Sequence, residues 1–231
     1  LLMIEARKEI RLIIPNCFTG LNICCGFLAI WQMTEGQFLA SAWLIILAVM
    51  FDMADGKLAR FMGLESDFGF QLDSMGDLIT SGVAPAMLVL YQGPACQGLR
   101  VGGALLFVLA SVYRLARFNV VEKNERHNMY FGFPTPVAAY TIVGLWFFRW
   151  KMAVPHDLLW AVVLLALPFL MISRIPYKWP RVTFREGFFE TLLSVVKLSL
   201  TALMIVFPGI FIFPLFAGYA VRGIILHQRY K

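Results

Sequence analysis

Long apolar runs dominate this chain, and short polar clusters punctuate them. Taken in order, the runs predict eight spans, at about residues 16–33, 38–61, 68–91, 101–121, 134–148, 158–173, 188–207 and 210–226. Most are long enough to cross a hydrocarbon core of about 30 Å as a helix. The breaks carry turn chemistry: Glu35-Gly36, the polar stretch 62–67, the Gly- and Pro-containing stretch 93–100, and Pro208-Gly209, which reads as a tight turn. Pro85 falls inside the third run and predicts a kink or break there. The first fourteen residues differ, because Glu5, Arg7, Lys8, Glu9 and Arg11 are interleaved with aliphatics. That stretch reads as an amphipathic helix on the membrane surface rather than a signal peptide, with Pro15 opening the first span. The pattern predicts an all-α, polytopic membrane helix bundle of about eight transmembrane helices plus an N-terminal amphipathic helix. It reads as one domain over 1–231, with a juxtamembrane helix at 1–14, spans one to four at 15–121 and spans five to eight at 122–231. No tandem repeat or low-complexity segment interrupts it.

Composition strengthens this reading. The chain is 60% hydrophobic and only 15% charged, with a mean hydropathy of +0.74. A soluble domain of this length has no use for so much apolar surface. The net charge of +6 is unevenly placed. With eight spans, sixteen of the twenty Lys and Arg residues fall on the side of the termini and three, Arg100, Arg149 and Lys151, on the other; Lys197 lies within a span. The positive-inside rule then puts both termini on the cytoplasmic side, and the basic excess reads as a topology signal rather than a nucleic-acid footprint. The four cysteines, Cys17, Cys24, Cys25 and Cys96, lack metal-ligand spacing and read as small membrane-buried hydrophobes.

One stretch does not fit a purely apolar bundle. Residues 52–77 read DMADGKLARFMGLESDFGFQLDSMGD and hold two carboxylate pairs, Asp52 with Asp55 and Asp73 with Asp77. Spacings of three and four place each pair on one helix face. Each charged side chain in a bilayer costs roughly 2.5–3.5 kcal/mol on insertion scales, so four together call for positive charge between them. Hard oxygen donors suit Mg2+, Mn2+ or Ca2+. Gly56 and Ala59 lie four residues after Asp52 and Asp55, and Gly69, Asp73 and Asp77 form an i, i+4, i+8 ladder. These small residues leave room for a ligand against the backbone, and Arg60 is placed to reach a phosphate. A cation- or proton-coupled transport site is the alternative that the carboxylates alone leave open.

The spacing D-x2-D-G-x2-A-R-x8-G-x3-D-x3-D, met by Asp52, Asp55, Gly56, Ala59, Arg60, Gly69, Asp73 and Asp77, resembles the signature of the CDP-alcohol phosphotransferases. The resemblance implies a metal site of Asp52, Asp55, Asp73 and Asp77 holding Mg2+ or Mn2+, expected as two ions, with Asp77 also the general base. It implies a CDP-diacylglycerol site at Asp55, Gly56, Ala59, Arg60, Ser66 and Gly69. Asn16, Thr19 and Asn22 on the first span stand where the family places a polar patch against the nucleotide. Asp67, outside the signature, reads as a solvated loop charge.

Four further stretches, GVAPA at 82–86, RLARFN at 114–119, GFPTP at 132–136 and SRIPY at 173–177, are similar to the membrane-integral phosphatidylserine synthases of that family. Met53-Ala54 and Thr80-Ser81 depart from the residues usual there and bear on the acceptor. The resemblance implies transfer of a phosphatidyl group from CDP-diacylglycerol to L-serine with release of CMP. It further implies a homodimer in a prokaryotic inner or plasma membrane, with the active site cytoplasmic and open to membrane lipid. Serine's carboxylate calls for an Arg, so Arg114 and Arg117, with Asn119 and the nearby Arg174, are the candidate acceptor residues. The same chemistry with choline, glycerol 3-phosphate or inositol phosphate as acceptor, or with an archaeal ether-lipid donor, is the alternative.

Overall fold

The computed structural model describes residues 2–62, 66–122, 130–151, 156–177 and 208–229. The seventh expected span, with Lys197, lies outside the described residues, as does most of the loop that follows Glu122. Within the described residues the chain is helical except for one minimal strand pair. The elements are α1 (Leu2–Thr34), α2 (Phe38–Met62), α3 (Asp67–Asp77), a π-helical segment π1 (Leu78–Val83), α4 (Ala84–Gln92), α5 (Gln97–Arg117), π2 (Phe118–Glu122), β1 (Tyr130–Phe131), α6 (Thr135–Lys151), α7 (His156–Ile172), β2 (Pro176–Tyr177) and α8 (Pro208–Arg229). Three stretches are long and apolar enough to cross a membrane: Cys17–Thr34, Asp67–Gln92 and Gln97–Val120. Phe38–Ala54 and Asp157–Ile172 are apolar but shorter. The described residues thus carry a membrane helix bundle but do not carry the count of eight.

Three boundaries differ from the sequence expectation. The N-terminal amphipathic stretch and the first span form one unbroken helix of 33 residues, so Pro15 interrupts nothing. A proline removes one backbone donor, a loss that helices in a bundle accommodate. Pro208-Gly209 is no turn: Pro208 is the first residue of α8, where its missing N–H would have had no intrahelical partner anyway. Asp67 is not in a loop but in the first turn of α3, where a negative charge meets the positive end of the helix dipole.

Helix α6 is the axis of the bundle. Seven consecutive residues, Thr141 to Phe147, are buried, so no face of the helix is left for lipid or water. Tyr140 stacks on Phe216 of α8 with ring centroids 5.4 Å apart, and its hydroxyl donates to the Ile46 carbonyl of α2. Around this axis α1 and α2 form a hairpin. Its turn needs Gly36, whose φ of 74° lies in the left-handed region. The Ser41 hydroxyl donates to the Ala29 carbonyl at 2.8 Å and ties the two helices together. Outward faces are apolar: Phe27, Leu109 and Phe169 are 66%, 64% and 71% exposed. Such faces suit hydrocarbon, as does a fold that satisfies its backbone inside helices.

The break in the third span has a local cause. Pro85 has no N–H to donate and its ring crowds the carbonyl four residues back, at Ser81. The preceding turn widens, and the Ala84 N–H reaches the Ile79 carbonyl, five residues back. The rod α3–π1–α4 therefore changes pitch just beyond Asp77.

Close helix contact at α6 depends on Gly144. A Cβ there would meet Ile212 Cγ2 at 2.5 Å and the backbone nitrogen of Phe213 at 2.8 Å. Gly144→Ala should cost about 1–3 kcal/mol through overpacking against α8. Gly98→Ala, where nothing lies within 4 Å, should be neutral or slightly stabilising. Thermal unfolding of the two variants in detergent checks this, and equal midpoints would refute the packing account.

Candidate active site

Helix α3 carries two of the four carboxylates, and its start is well defined. Ser66 is the N-cap, and its Oγ accepts the Gly69 N–H at 3.0 Å. The hydroxyl hydrogen of Ser66 remains able to donate. Two and three turns on, the side chains of Asp73 and Asp77 turn inward toward Asp52 in the second half of α2. Asp52 lies within hydrogen-bond reach of both, and all three act on one another through space. Asp77 is buried, and Asp52 and Asp73 are half-buried. The Oδ1 of Asp73 is buried without a hydrogen-bond partner among the described residues. The backbone of α2 continues through Asp55, Gly56, Ala59 and Arg60, but their side chains, like that of Asn16, lie outside the described residues.

Helix α1 lines the same region. Thr19 and Asn22 are both buried, as their spacing of three predicts. Asn22 is 0% exposed, and neither its Oδ1 nor its Nδ2 has a hydrogen-bond partner among the described residues. Its amide nitrogen lies 3.3 Å from where a Cβ on Gly76 would stand, so this amide sits against the α3 backbone between Asp73 and Asp77. Gly26, one turn further along α1, lets that helix approach π1, where a Cβ would come within 3.2 Å of Thr80 Cα. Small residues at 26 and 76 thus bring α1 against the carboxylate helix.

A divalent cation fits the chemistry of this donor set. Three acids share an apolar interior, their oxygens are hard donors, and one of those oxygens has no other partner. Among the described residues no three such side chains already stand in ligating geometry; the Asp55 side chain, fourth of the quartet, is outside them.

The candidate acceptor residues have other engagements. Arg114 is buried, donates to Thr135 Oγ1 at 2.8 Å and sits 5.9 Å from the Phe118 ring centroid. Arg117 donates to the Ile172 carbonyl at 2.8 Å and the Ser173 carbonyl at 3.3 Å, closing the end of α7. Asn119 accepts from Ser74 Oγ at 2.9 Å and donates to Gln71 Oε1 at 3.4 Å. Phe70 stacks on Phe118 at 5.7 Å beside them. Asn119 therefore fastens π2 to α3, next to Asp73. Ser74 was not singled out from sequence; its place one residue after Asp73 was the available signal. Arg174 is exposed.

Comparisons with known proteins identify the family. The family model for CDP-alcohol phosphatidyltransferases matches residues 12–172, more than half of the chain. The chain belongs to the CDP-alcohol phosphatidyltransferase family. It is 34% identical over 130 residues to the CDP-diacylglycerol–serine O-phosphatidyltransferase of Helicobacter pylori, a match covering 56% of this chain and 55% of that protein. The chain thus spans about half the length of that relative. A protein of the same name from Methanocaldococcus jannaschii is 34% identical over 229 residues, covering 98% of this chain and 99% of the relative. An archaetidylserine synthase of Methanothermobacter thermautotrophicus is 35% identical over 171 residues, covering 73% and 70%. For a phosphatidyltransferase fold, the carboxylate region of α2 and α3 is the candidate active site.

If Asn119 is a fastener of α3, Ser74→Ala and Asn119→Ala should each lower stability by about 0.5–1.5 kcal/mol. The double variant should cost less than their sum. A double-mutant cycle on unfolding in detergent reads the coupling, and strictly additive losses would count against the contact.

Proposed function

We infer that this protein transfers the phosphatidyl group of CDP-diacylglycerol, or the corresponding group of an ether-lipid donor, to L-serine, with release of CMP. The observation that carries the reading is the convergence of Asp52, Asp73 and Asp77 in the interior of an apolar bundle, within the family's full motif. Support for serine as acceptor comes from the relatives named above. The name of the Methanothermobacter relative favours keeping the ether-lipid donor beside the diacyl one.

In the proposed reaction the serine hydroxyl attacks the phosphorus that bears the lipid. A bond from serine oxygen to that phosphorus forms, and the bond from it to the bridging oxygen breaks, so the electron pair leaves with CMP. Asp77 takes the hydroxyl proton as general base. Mg2+ or Mn2+, expected as two ions held by Asp52, Asp55, Asp73 and Asp77, would when bound neutralise the pyrophosphate oxygens and the CMP leaving group. Ser66, with its oxygen occupied by the Gly69 N–H, can donate its hydrogen to a donor phosphate, and Arg60 can pair with one. Gly56, Ala59 and Gly69 keep the backbone approachable. Asn22 offers an amide with no protein partner among the described residues, and with Thr19 and Asn16 it forms the polar patch proposed for the nucleotide. A single displacement is the simplest scheme for such a site. A bundle open to lipid lets both hydrocarbon chains stay in the membrane while serine comes from water. The cytoplasmic placement of this end follows from the bias of basic residues, and a homodimer is the proposed assembly.

The test is CMP release by the purified chain in detergent, with CDP-diacylglycerol, Mg2+ or Mn2+, and L-serine, choline, glycerol 3-phosphate or inositol phosphate. Release should require L-serine and the cation. Asp77→Asn should reduce it by at least about 100-fold, and chelation should abolish it. Bound Mn2+, followed by its paramagnetic resonance, should weaken in Asp73→Asn. Release with another acceptor would retain the chemistry and reassign the substrate. No release with any acceptor from folded, metal-loaded protein would sink the reading in favour of ion transport.

A further inference from the structure

The far end of the bundle holds a second polar feature. A cavity of about 510 Å³ opens between the ends of α4, α5, α6 and α7, lined by Tyr91, Gln92, Gly93, Ala95, Arg100, Arg149 and Asp157. Nineteen residues of the rod α3–π1–α4 separate Asp73 from Gln92, which at about 1.5 Å per residue is about 28 Å. That length is close to the roughly 30 Å hydrocarbon thickness, so the cavity lies at the membrane interface opposite the carboxylates.

Its chemistry is selective. On the eight-span layout only three basic residues, Arg100, Arg149 and Lys151, belong to this end of the bundle, and two of them line one cavity. Topology alone disfavours cations here, so their convergence calls for a local reason. Arg149 is held in place: its guanidinium donates to the carbonyls of Gln92 and Gly93, where α4 ends. Asp157 braces the loop between α4 and α5, its Oδ1 accepting the Ala95 N–H at 3.0 Å, and keeps its negative charge, so the cavity carries a net single positive charge. Arg100 stands in the first turn of α5, where the helix dipole favours an anion rather than a cation. A guanidinium at that position calls for negative charge, and Asp157 supplies only one such charge against the two arginines of the cavity.

We propose that this cavity binds a phosphate-bearing anion between Arg100 and Arg149. At an interfacial depth, beside the half-exposed Tyr91, the phosphodiester of a phospholipid headgroup is placed to enter it with its chains along the bundle. Free phosphate offers the same chemistry from the aqueous side. The proposal does not rest on the transferase reading, because the site lies a membrane's thickness from the carboxylates.

The experiment uses the full chain, purified in detergent and stripped of lipid, with binding of single lipids counted by native mass spectrometry. The probes are a short-chain phosphatidylglycerol, a diacylglycerol with the same chains, and inorganic phosphate. Phosphatidylglycerol should bind at least about tenfold more weakly to Arg100→Gln than to the unaltered chain. It should bind near-normally to Arg100→Lys. Displacement of the lipid by inorganic phosphate at similar concentration would keep the anion site and identify its source as soluble. Unaltered lipid binding by Arg100→Gln, or diacylglycerol bound as tightly as phosphatidylglycerol, would overturn the proposal. Arg149 is left intact because removing it would free the α4 carbonyls and confound folding with binding.

Discussion

Carboxylates that must share an apolar interior are the constraint on which this structure depends. Asp52 on α2 and Asp73 and Asp77 on α3 approach one another in a partly buried setting where water screens them poorly. An isolated carboxylate there would be costly, and three together more so. Such a cluster needs its charge offset, by protons or by a bound cation, and either way α2 and α3 set the separation of the acids. Much of the remaining fold can be understood as the means of holding them.

Several features work on α3 in particular. Ser66 caps its first turn, and Asp67 complements the dipole. Gly76 and Gly26 let α1 lie against it and against π1. On the other side Asn119 and Ser74 join it to π2. Beyond Asp77 the wider π turn forced by Pro85 re-aims the rod, so that α4 can pack into the core while Asp73 and Asp77 still face Asp52. Widened turns of this kind often occur next to functional sites because they decouple the direction of the two flanking helices.

The apolar runs were enough to place most of the helices, since a membrane helix needs little more than length and apolarity to be recognised. The carboxylate pairs were legible for a related reason: acids stand out against such a background. Less legible was whatever depended on backbone satisfaction. Pro15 looks like a helix start and Pro208-Gly209 like a turn, yet one lies within a helix and the other opens one. In a bundle, neighbouring helices decide whether a missing N–H matters, and one sequence does not display those neighbours. The pairing of Tyr130 with Tyr177 was invisible for the same reason, being a contact between segments far apart in the chain.

Three of the four stretches that resemble the membrane-integral phosphatidylserine synthases meet in space. Arg114 and Arg117 come from RLARFN, Gly132 and Thr135 from GFPTP, and Ser173, Ile175 and Tyr177 from SRIPY. Arg114 bonds Thr135, and Arg117 bonds the carbonyls of Ile172 and Ser173. The Gly132 N–H reaches the Ile175 carbonyl at 2.9 Å. Gly132 has a φ of 83°, and a Cβ there would fall 2.8 Å from the Arg117 guanidinium, so no larger residue fits without displacing that arginine. These motifs thus form one interlocked knot that closes α7 and, through the Phe133, Tyr177 and Tyr219 rings, docks α8. Arg117 commits both Nη1 and Nη2 to backbone carbonyls, whereas Arg149 at the other end of the bundle commits only Nη1. The knot acts on the fold: it fixes the end of α5, hence π2 and Asn119, and so steadies α3 beside Asp73.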